Sequence, residues 1–144
     1  MTASNSSATT IHGGSVNDAI LKGSGVDGIT PGPLRRQRQM CISASTITVG
    51  PTGFGNNTII SGSGIDGIIA GNGDNHINAG TGGANTSNVG SGNNTIISGS
   101  GIDGITAGNG DNYIDGGEGA NTITVGPTGF GNNTIISGSA IDGT

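Results

Sequence analysis

The sequence repeats itself at two fixed distances. The segment VGPTGFGNNTIISGS occupies residues 49–63 and returns letter for letter at 125–139, an offset of 76 residues. The segment NNTIISGSGIDGI occupies 56–68 and returns at 93–105, an offset of 37 residues. Fixed periods of this kind are typical of solenoids and arrays, in which each repeat is one structural unit stacked on the next. The longer unit divides into short rows of about nine residues.

Each row contains one short strand and one glycine-rich turn. In NNTIISGSG (56–64) the strand-forming run is followed by GSG, where glycine adopts a positive φ without a Cβ clash. Nine residues are too few to form a hairpin and return, so two rows make one coil. We predict an all-β, parallel β-solenoid (β-roll) with two strands and two Gly-rich turns per coil and with uncapped ends. Residues 17–144 are assigned to the solenoid, row 35–43 is irregular, and segment 1–16 is expected to complete a neighbouring subunit's coil.

Strand alternation predicts a core that is one isoleucine wide. The fourth residue of the row points inward and is Ile59, Ile68, Ile77, Ile96, Ile105, Ile114, Ile123 or Ile135. Two positions further on, the inward residue is mostly small: Ser61, Ala70, Ala79, Val89, Ser98, Ala107, Val125 or Ser137. Such a core needs no large rings, which agrees with an aromatic content of 2% and with 32 glycines in 144 residues.

The charges exclude several classes of function. The net charge is −5, and all four basic residues, Lys22, Arg35, Arg36 and Arg38, precede residue 44. The remainder of the chain is acidic and repels phosphate, so we predict no nucleic-acid partner. No apolar run approaches the ~18 residues of a membrane span, so we predict no membrane insertion. No nucleophile–base pair occurs at a recognisable spacing, and the chain is not expected to be an enzyme.

The turns resemble those of a known repeat family. The segments that carry the resemblance are SGSGIDGI (61–68, 98–105), KGSGVDGI (22–29) and AGNGDNYI (107–114). They are similar to the G-G-x-G-x-D-x-U-x nonapeptide of RTX, or haemolysin-type, calcium-binding repeats. The resemblance covers 8–144 apart from 35–43. It implies a β-roll in which the Asp residues of stacked turns chelate Ca²⁺ together with backbone carbonyls.

Asparagine replaces the family's aspartate in most rows. The Asp matches are Asp18, Asp27, Asp66, Asp103 and Asp142; the candidate metal residues are Asp27, Asp66, Asp103, Asp142, Asn85 and Asn121. Because alternate rows stack, Asp66 and Asp103 share an edge with Asn85 and Asn121. One carboxylate per site predicts weak binding of the Ca²⁺ cofactor, ~10⁻⁴–10⁻³ M. A purely structural Asn/Asp ladder is the alternative. The opposite edge carries only amides, which we expect to hydrogen-bond from coil to coil: Asn57, Asn75, Asn94, Asn112 and Asn133.

The two ends of the chain suggest self-assembly. Joined together, IDGT (141–144) and MTASN (1–5) give nine residues resembling IDGITAGNG (102–110). We therefore predict a structural, extracellular or cell-surface subunit that stacks head to tail into filaments and is stabilised by calcium, its partner being itself. Two alternatives remain open. One is a surface-binding module for ice or carbohydrate, based on outward threonines. The other is a calcium-binding segment of a larger secreted RTX protein.

Lateral contacts between molecules are also predicted. The outward apolar residues that suggest bundling are Ile60, Ile97 and Ile136, with Asn78 and Asp115 between them. Row 35–43 contains Cys41 and three of the four basic residues. It has two interpretations: an exposed, degenerate loop, or a contact with the acidic rows of another molecule.

Overall fold

The protein is a parallel β-solenoid, as the repeats predict. The computed structural model describes residues 10–11, 18–21, 27–29, 37–40, 45–126 and 130–138, with side chains described at 46–49, 55–126 and 130–138. All regular structure within these ranges is β-strand. No helix in them is long and apolar enough to cross a membrane.

Successive strands alternate between two seven-stranded sheets. Sheet A contains β1 (Thr10–Ile11), β3 (Asp27–Ile29), β5 (Ser45–Phe54), β7 (Gly67–Asn72), β9 (Thr86–Val89), β11 (Gly104–Ala107) and β13 (Thr122–Val125). Sheet B contains β2 (Asp18–Leu21), β4 (Gln37–Met40), β6 (Thr58–Ile60), β8 (His76–Asn78), β10 (Thr95–Ile97), β12 (Tyr113–Asp115) and β14 (Thr134–Ile136). Every strand pairs in parallel with the strand two places along the chain, so two rows form one coil.

The core lies between the sheets and consists of the predicted isoleucine columns. Ile59 aligns with Ile77, and Ile77 with Ile96, and all three are fully buried. Ile135, near the end of the described stack, is half-buried. One position departs from the pattern, because Ser87 of β9 lies in register between Ile68 and Ile105. Its hydroxyl is buried and has no hydrogen bond within the described residues.

The GPTGFG segment at 50–55 largely continues strand β5 instead of forming a simple turn. β5 continues to Phe54, which pairs with Asn72 after the register has shifted between Val49 and Phe54. Residues 50–53 therefore lie opposite Gly71 alone and form an enlarged bulge, the usual way to insert residues without ending a strand. The second copy lies partly outside the described residues; its Phe130 is 72% exposed.

The described part of the irregular row, residues 37–40, forms a strand in the ordinary place of the stack. β4, from row 35–43, pairs with β2 and β6, and Arg38 aligns with Thr58 and Met40 with Ile60. β1, from segment 1–16, pairs with β3 of the same chain. The domain boundaries themselves stay a prediction.

Glycine is required where the turns of successive coils touch. Gly117 has φ 67°, and a Cβ added to it would lie 1.5 Å from the carbonyl oxygen of Gly99 in the coil before. A side chain at this position would meet both a backbone clash and an unfavourable left-handed conformation. The close spacing between coils thus depends on turn residues that have no side chain.

Candidate calcium site at the aspartate edge

Polar side chains line both edges at which the chain passes from one sheet to the other. The edge that leads from sheet B to sheet A carries Asp66, Asn85, Asp103 and Asn121, and we call it the aspartate edge. The edge that leads from sheet A to sheet B carries Asn57, Asn75, Asn94, Asn112 and Asn133, and we call it the asparagine edge. Apart from Asn133, these side chains are buried, so each needs hydrogen-bond partners inside the protein.

The asparagine edge forms the predicted amide ladder. Oδ1 of Asn94 accepts hydrogen bonds from the backbone N–H and from Nδ2 of Asn75, at 3.0 and 3.1 Å. Nδ2 of Asn94 donates in turn to Oδ1 of Asn112 at 3.0 Å and to the carbonyls of Gly90 and Gly92. The same pattern links Asn57 to Asn75 and Asn112 to Asn133. Both ends of the Asn94 amide are therefore used within the protein.

The aspartate edge forms a mixed ladder in the predicted order. The backbone N–H of Asp66 donates to Oδ1 of Asn85 at 2.9 Å, that of Asn85 to Oδ1 of Asp103 at 2.7 Å, and that of Asp103 to Oδ1 of Asn121 at 2.9 Å. All four side chains are about 1% exposed. Asp27 is the first residue of β3, and its side chain lies outside the described ones, as does Asp142 entirely.

Aspartate and asparagine differ in what they present to the turn. Nδ2 of Asn121 donates to the carbonyls of Gly116 and Gly117, and Nδ2 of Asn85 to those of Gly82 and Ser98. At Asp103 an oxygen, Oδ2, replaces this nitrogen. It is buried and has no hydrogen bond to any described residue. An acceptor beside carbonyl oxygens is unfavourable unless a proton or a cation lies between them.

The arrangement at Asp103 fits a hard cation. Ca²⁺ prefers carboxylate and backbone carbonyl oxygens, and these surround the place that an amide nitrogen fills in the asparagine coils. Burial raises the pKa of the Asp103 carboxyl above its ordinary value, while the hydrogen bond from the backbone N–H of Asn85 and the nearby polar side chains of Asn85 and Ser98 act in the opposite direction. Desolvation of the charge dominates, which a bound cation would relieve.

Buried serines accompany the aspartates, a feature that the sequence reasoning missed. Ser61 and Ser98 lie at the end of the sheet B strand that precedes Asp66 and Asp103, and neither hydroxyl has a hydrogen bond within the described residues. In the asparagine coils of the same edge the equivalent residues are Ala79 and Gly116. The sequence contains a signal for this feature: two positions five or six residues apart change together, with Ser accompanying Asp and with Ala or Gly accompanying Asn. The serines add an oxygen only where a carboxylate is present.

The other acidic residues do not join this site. Asp74 and Asp111 lie in an exposed ladder along the asparagine edge, where each accepts a backbone N–H, from Asn93 and Asn132 respectively. Asp115 accepts the N–H of Gly117 at 3.0 Å, outside the core. Among the described residues no group of three His, Cys, Asp or Glu side chains converges. A cation here would thus be held mainly by one carboxylate and by backbone oxygens.

Comparison with known families agrees with the turn chemistry. The model of the RTX calcium-binding nonapeptide repeat matches four copies at residues 51–84 and 88–123. This stretch of the chain belongs to the RTX repeat family, which is a class of calcium-binding repeats. Asp66, Asp103 and Asn121 lie within the two matched ranges, and Asn85 lies in the short gap between these ranges. Comparison with curated proteins and with solved structures gives no significant match.

Proposed function

We propose that this chain is a calcium-stabilised structural solenoid that acts outside the cell and assembles head to tail. The observation that carries the calcium part is the buried Asp103 carboxylate, whose Oδ2 has no hydrogen bond within the described residues. Asp66 and Asp103 would hold Ca²⁺ with turn carbonyls, while Asn85 and Asn121 space the charges. When bound, Ca²⁺ offsets the negative charge of the buried carboxylate and so reduces the cost of burying it between coils. The proposed role needs no catalytic group.

The direction of the ladders supports head-to-tail assembly. In the two buried ladders Oδ1 accepts an N–H from the coil before it, as Asn75 does from Asn57 and Asn85 from Asp66. In the exposed ladder the direction is reversed, and Asp74 accepts from Asn93 of the coil after it. Any two adjacent coils therefore meet through different surfaces. A contact between molecules that repeated this arrangement would be heterologous and open-ended, which produces a filament.

Electron microscopy of the purified protein tests both parts. We expect filaments in the presence of calcium and shorter or fewer filaments after chelation. The Asp66→Asn, Asp103→Asn double variant should be less sensitive to chelator than the wild type, because amides replace two of the carboxylates. A monodisperse monomer over a wide range of concentrations, with or without calcium, would overturn the assembly proposal.

A surface-binding module is the second candidate. Thr86, Thr106, Thr122 and Thr124 are exposed on the outer face of sheet A. Regular hydroxyls on a flat sheet suit an ordered surface such as ice or a polysaccharide. Gly67 and Gly104 interrupt the array. A thermal-hysteresis assay and binding to insoluble polysaccharides test this candidate, and the absence of both effects would exclude it.

The family match supports the proposed site of action and bears on the whole-protein context. RTX repeat proteins are typically secreted, which supports an extracellular location. The same match also supports the alternative that this chain is a calcium-binding segment of a larger secreted protein. Detection of the chain in culture medium at its own mass favours a separate secreted protein. Detection only as part of a larger species favours a segment of a larger secreted protein.

A further inference from the structure

The exposed ladder of the asparagine edge alternates amides with carboxylates. Its members lie one residue before the buried amides, and all of them are exposed: Asn56, Asp74, Asn93, Asp111 and Asn132. Oδ1 of Asp74 accepts the backbone N–H of Asn93 at 2.8 Å, and Oδ1 of Asn93 accepts that of Asp111 at 2.9 Å. Either kind of side chain therefore continues the ladder through its first oxygen. The second group of each side chain is not needed for the ladder.

The amide nitrogens of the exposed ladder are not used inside the protein. In the buried ladder, Nδ2 of Asn94 donates to Oδ1 of Asn112 and to two turn carbonyls. In the exposed ladder, no hydrogen bond to a described residue uses the Nδ2 groups of Asn56, Asn93 and Asn132. These nitrogens are accessible from outside, while Oδ1 of Asn56 and Asn93 keeps its place in the ladder.

Each amide of the exposed ladder begins an Asn-X-Thr triplet. The triplets are NNT at 56–58, 93–95 and 132–134, and Asn-X-Ser/Thr is the acceptor sequence for N-glycosylation. The Asn and the Thr of the triplet are two positions apart, which is the period of a strand, so both face outward. Asn93 is exposed and Thr95 is half-buried, whereas Asn94 between them is buried. The fold thus presents the two residues that define the acceptor sequence on one surface.

The triplet is replaced as a whole in the intervening coils. These coils have DNH at 74–76 and DNY at 111–113, so the acceptors recur on every second coil, about 9.6 Å apart. The sheet register places His76 between Thr58 and Thr95, and Tyr113 between Thr95 and Thr134. Both rings are exposed. This spacing leaves room for one sugar at each acceptor, and the apolar faces of the two rings suit contact with a sugar ring.

A fourth acceptor sequence is hidden by the fold. It is NTS at 85–87, and a fifth, at 5–7, lies outside the described residues. Asn85 is 1% exposed, and its Nδ2 donates to the carbonyls of Gly82 and Ser98 at 3.4 and 3.2 Å. A sugar on this nitrogen would have to replace buried hydrogen bonds. Asn85 is therefore an internal control, with the acceptor sequence but without an accessible nitrogen.

We propose that Asn56, Asn93 and Asn132 are N-glycosylation sites, with one sugar on every second coil of the asparagine edge. The donor is a sugar activated by a phosphate leaving group. Nδ2 forms a bond to the anomeric carbon, the bond from that carbon to the phosphate oxygen breaks, and the phosphate leaves with the electron pair. Nδ2 releases one proton to solvent and keeps the other. Oδ1 remains a carbonyl oxygen, so the exposed ladder is preserved.

Mass spectrometry of the full-length protein from the cells that naturally produce it tests the proposal. We expect sugars at Asn56, Asn93 and Asn132 and none at Asn85. Peptide-N-glycosidase should remove them and leave Asp in place of each modified Asn. A chain without N-linked sugar would overturn the proposal and would show that the column is a hydrogen-bonded ladder only. Sugar on Asn85 would overturn the selection by burial. Filaments formed by a chain without sugar contradict this proposal alone.

Variants expressed in the same cells separate the acceptor sequence from the ladder. Asn93→Asp should lose one sugar and keep the ladder, because Asp74 and Asp111 already accept there. Thr95→Val should lose the same sugar, whereas Thr95→Ser should keep it. Asp74→Asn is the matched control: it adds an exposed amide to the ladder without a Thr two positions later, and should gain no sugar. Full glycosylation of Thr95→Val, or a sugar gained by Asp74→Asn, would overturn the proposal.

Discussion

The backbone N–H of Asn85 donates to Oδ1 of Asp103 over 2.7 Å, across the boundary between two coils. The residue at this position of each coil thus completes the hydrogen bonding of the coil before it. The first oxygen of the side chain does this equally well in Asp and Asn. Only the second group, an oxygen in Asp or an NH₂ in Asn, decides whether the buried turn carbonyls find a hydrogen-bond donor within the protein or require a cation.

Replacement of the buried carboxylates should remove calcium dependence. In Asp66→Asn, Asp103→Asn the new amides donate to turn carbonyls, as Asn121 does. We expect the calcium-free variant to melt above the calcium-free wild type. Calcium at ten to a hundred times the dissociation constant should stabilise the wild type by roughly 1–3 kcal/mol per site, and the variant should lose the contribution of these two sites. Thermal unfolding with calcium and with chelator measures both. An unchanged calcium response in the variant would contradict the assignment.

The stability of the calcium-free protein should depend on pH through Asp103. Its pKa is raised above 3.8 by burial, so the folded state binds a proton more tightly than the unfolded state does. The contribution of this group is therefore most favourable at low pH and is lost as the pH rises through the raised pKa. Urea unfolding in chelator from pH 7 to pH 4 should show wild type gaining stability relative to Asp103→Asn. If the stability difference between wild type and Asp103→Asn stays constant with pH, or changes in the opposite direction, the pKa of Asp103 is not raised by burial.

The row pattern predicts the stack but not its local departures. Nine-residue spacing was sufficient to align Ile59 with Ile77, because a parallel coil leaves no other register in which both are buried. It also predicted the amide ladder, since identical side chains recur one coil apart. It did not predict the bulge at residues 50–53, because Gly and Pro fit a turn equally well. Nor did it predict the direction of the ladder bonds, which depends on side-chain geometry.

The buried serines should contribute to calcium binding and not to folding. The fold should tolerate Ser98→Ala, because the equivalent residue in the coil before is Ala79. The hydroxyl has no hydrogen bond of ordinary geometry within the described residues and only a small opposing effect on the pKa of the Asp103 carboxyl, so its removal should change calcium-free stability little. Calcium affinity measured by titration calorimetry should fall several-fold. Ser87→Ala, which removes a buried hydroxyl from the core column, is the control and should leave affinity unchanged.

Loss of one amide from the asparagine edge should destabilise the stack. Asn94→Ala removes the acceptor of two hydrogen bonds from Asn75 and the donor to Gly90, Gly92 and Asn112. Because this leaves buried groups without partners, we expect a loss of roughly 2–4 kcal/mol in the free energy of unfolding. Chemical denaturation measures it. A loss below that of an exposed substitution such as Thr106→Ala would show that the ladder is not structural.

A carboxylate placed on the asparagine edge should create calcium dependence there. Asn94→Asp keeps the oxygen that accepts from Asn75 but puts a second oxygen beside the carbonyls of Gly90 and Gly92. We expect the variant to be destabilised in chelator, because the charge is buried, and to recover part of this loss when calcium is added. Asn94→Ala loses the amide without gaining a charge and should not recover. Equal responses of the two variants to calcium in thermal unfolding would mean that one exchanged atom does not determine where the cation binds.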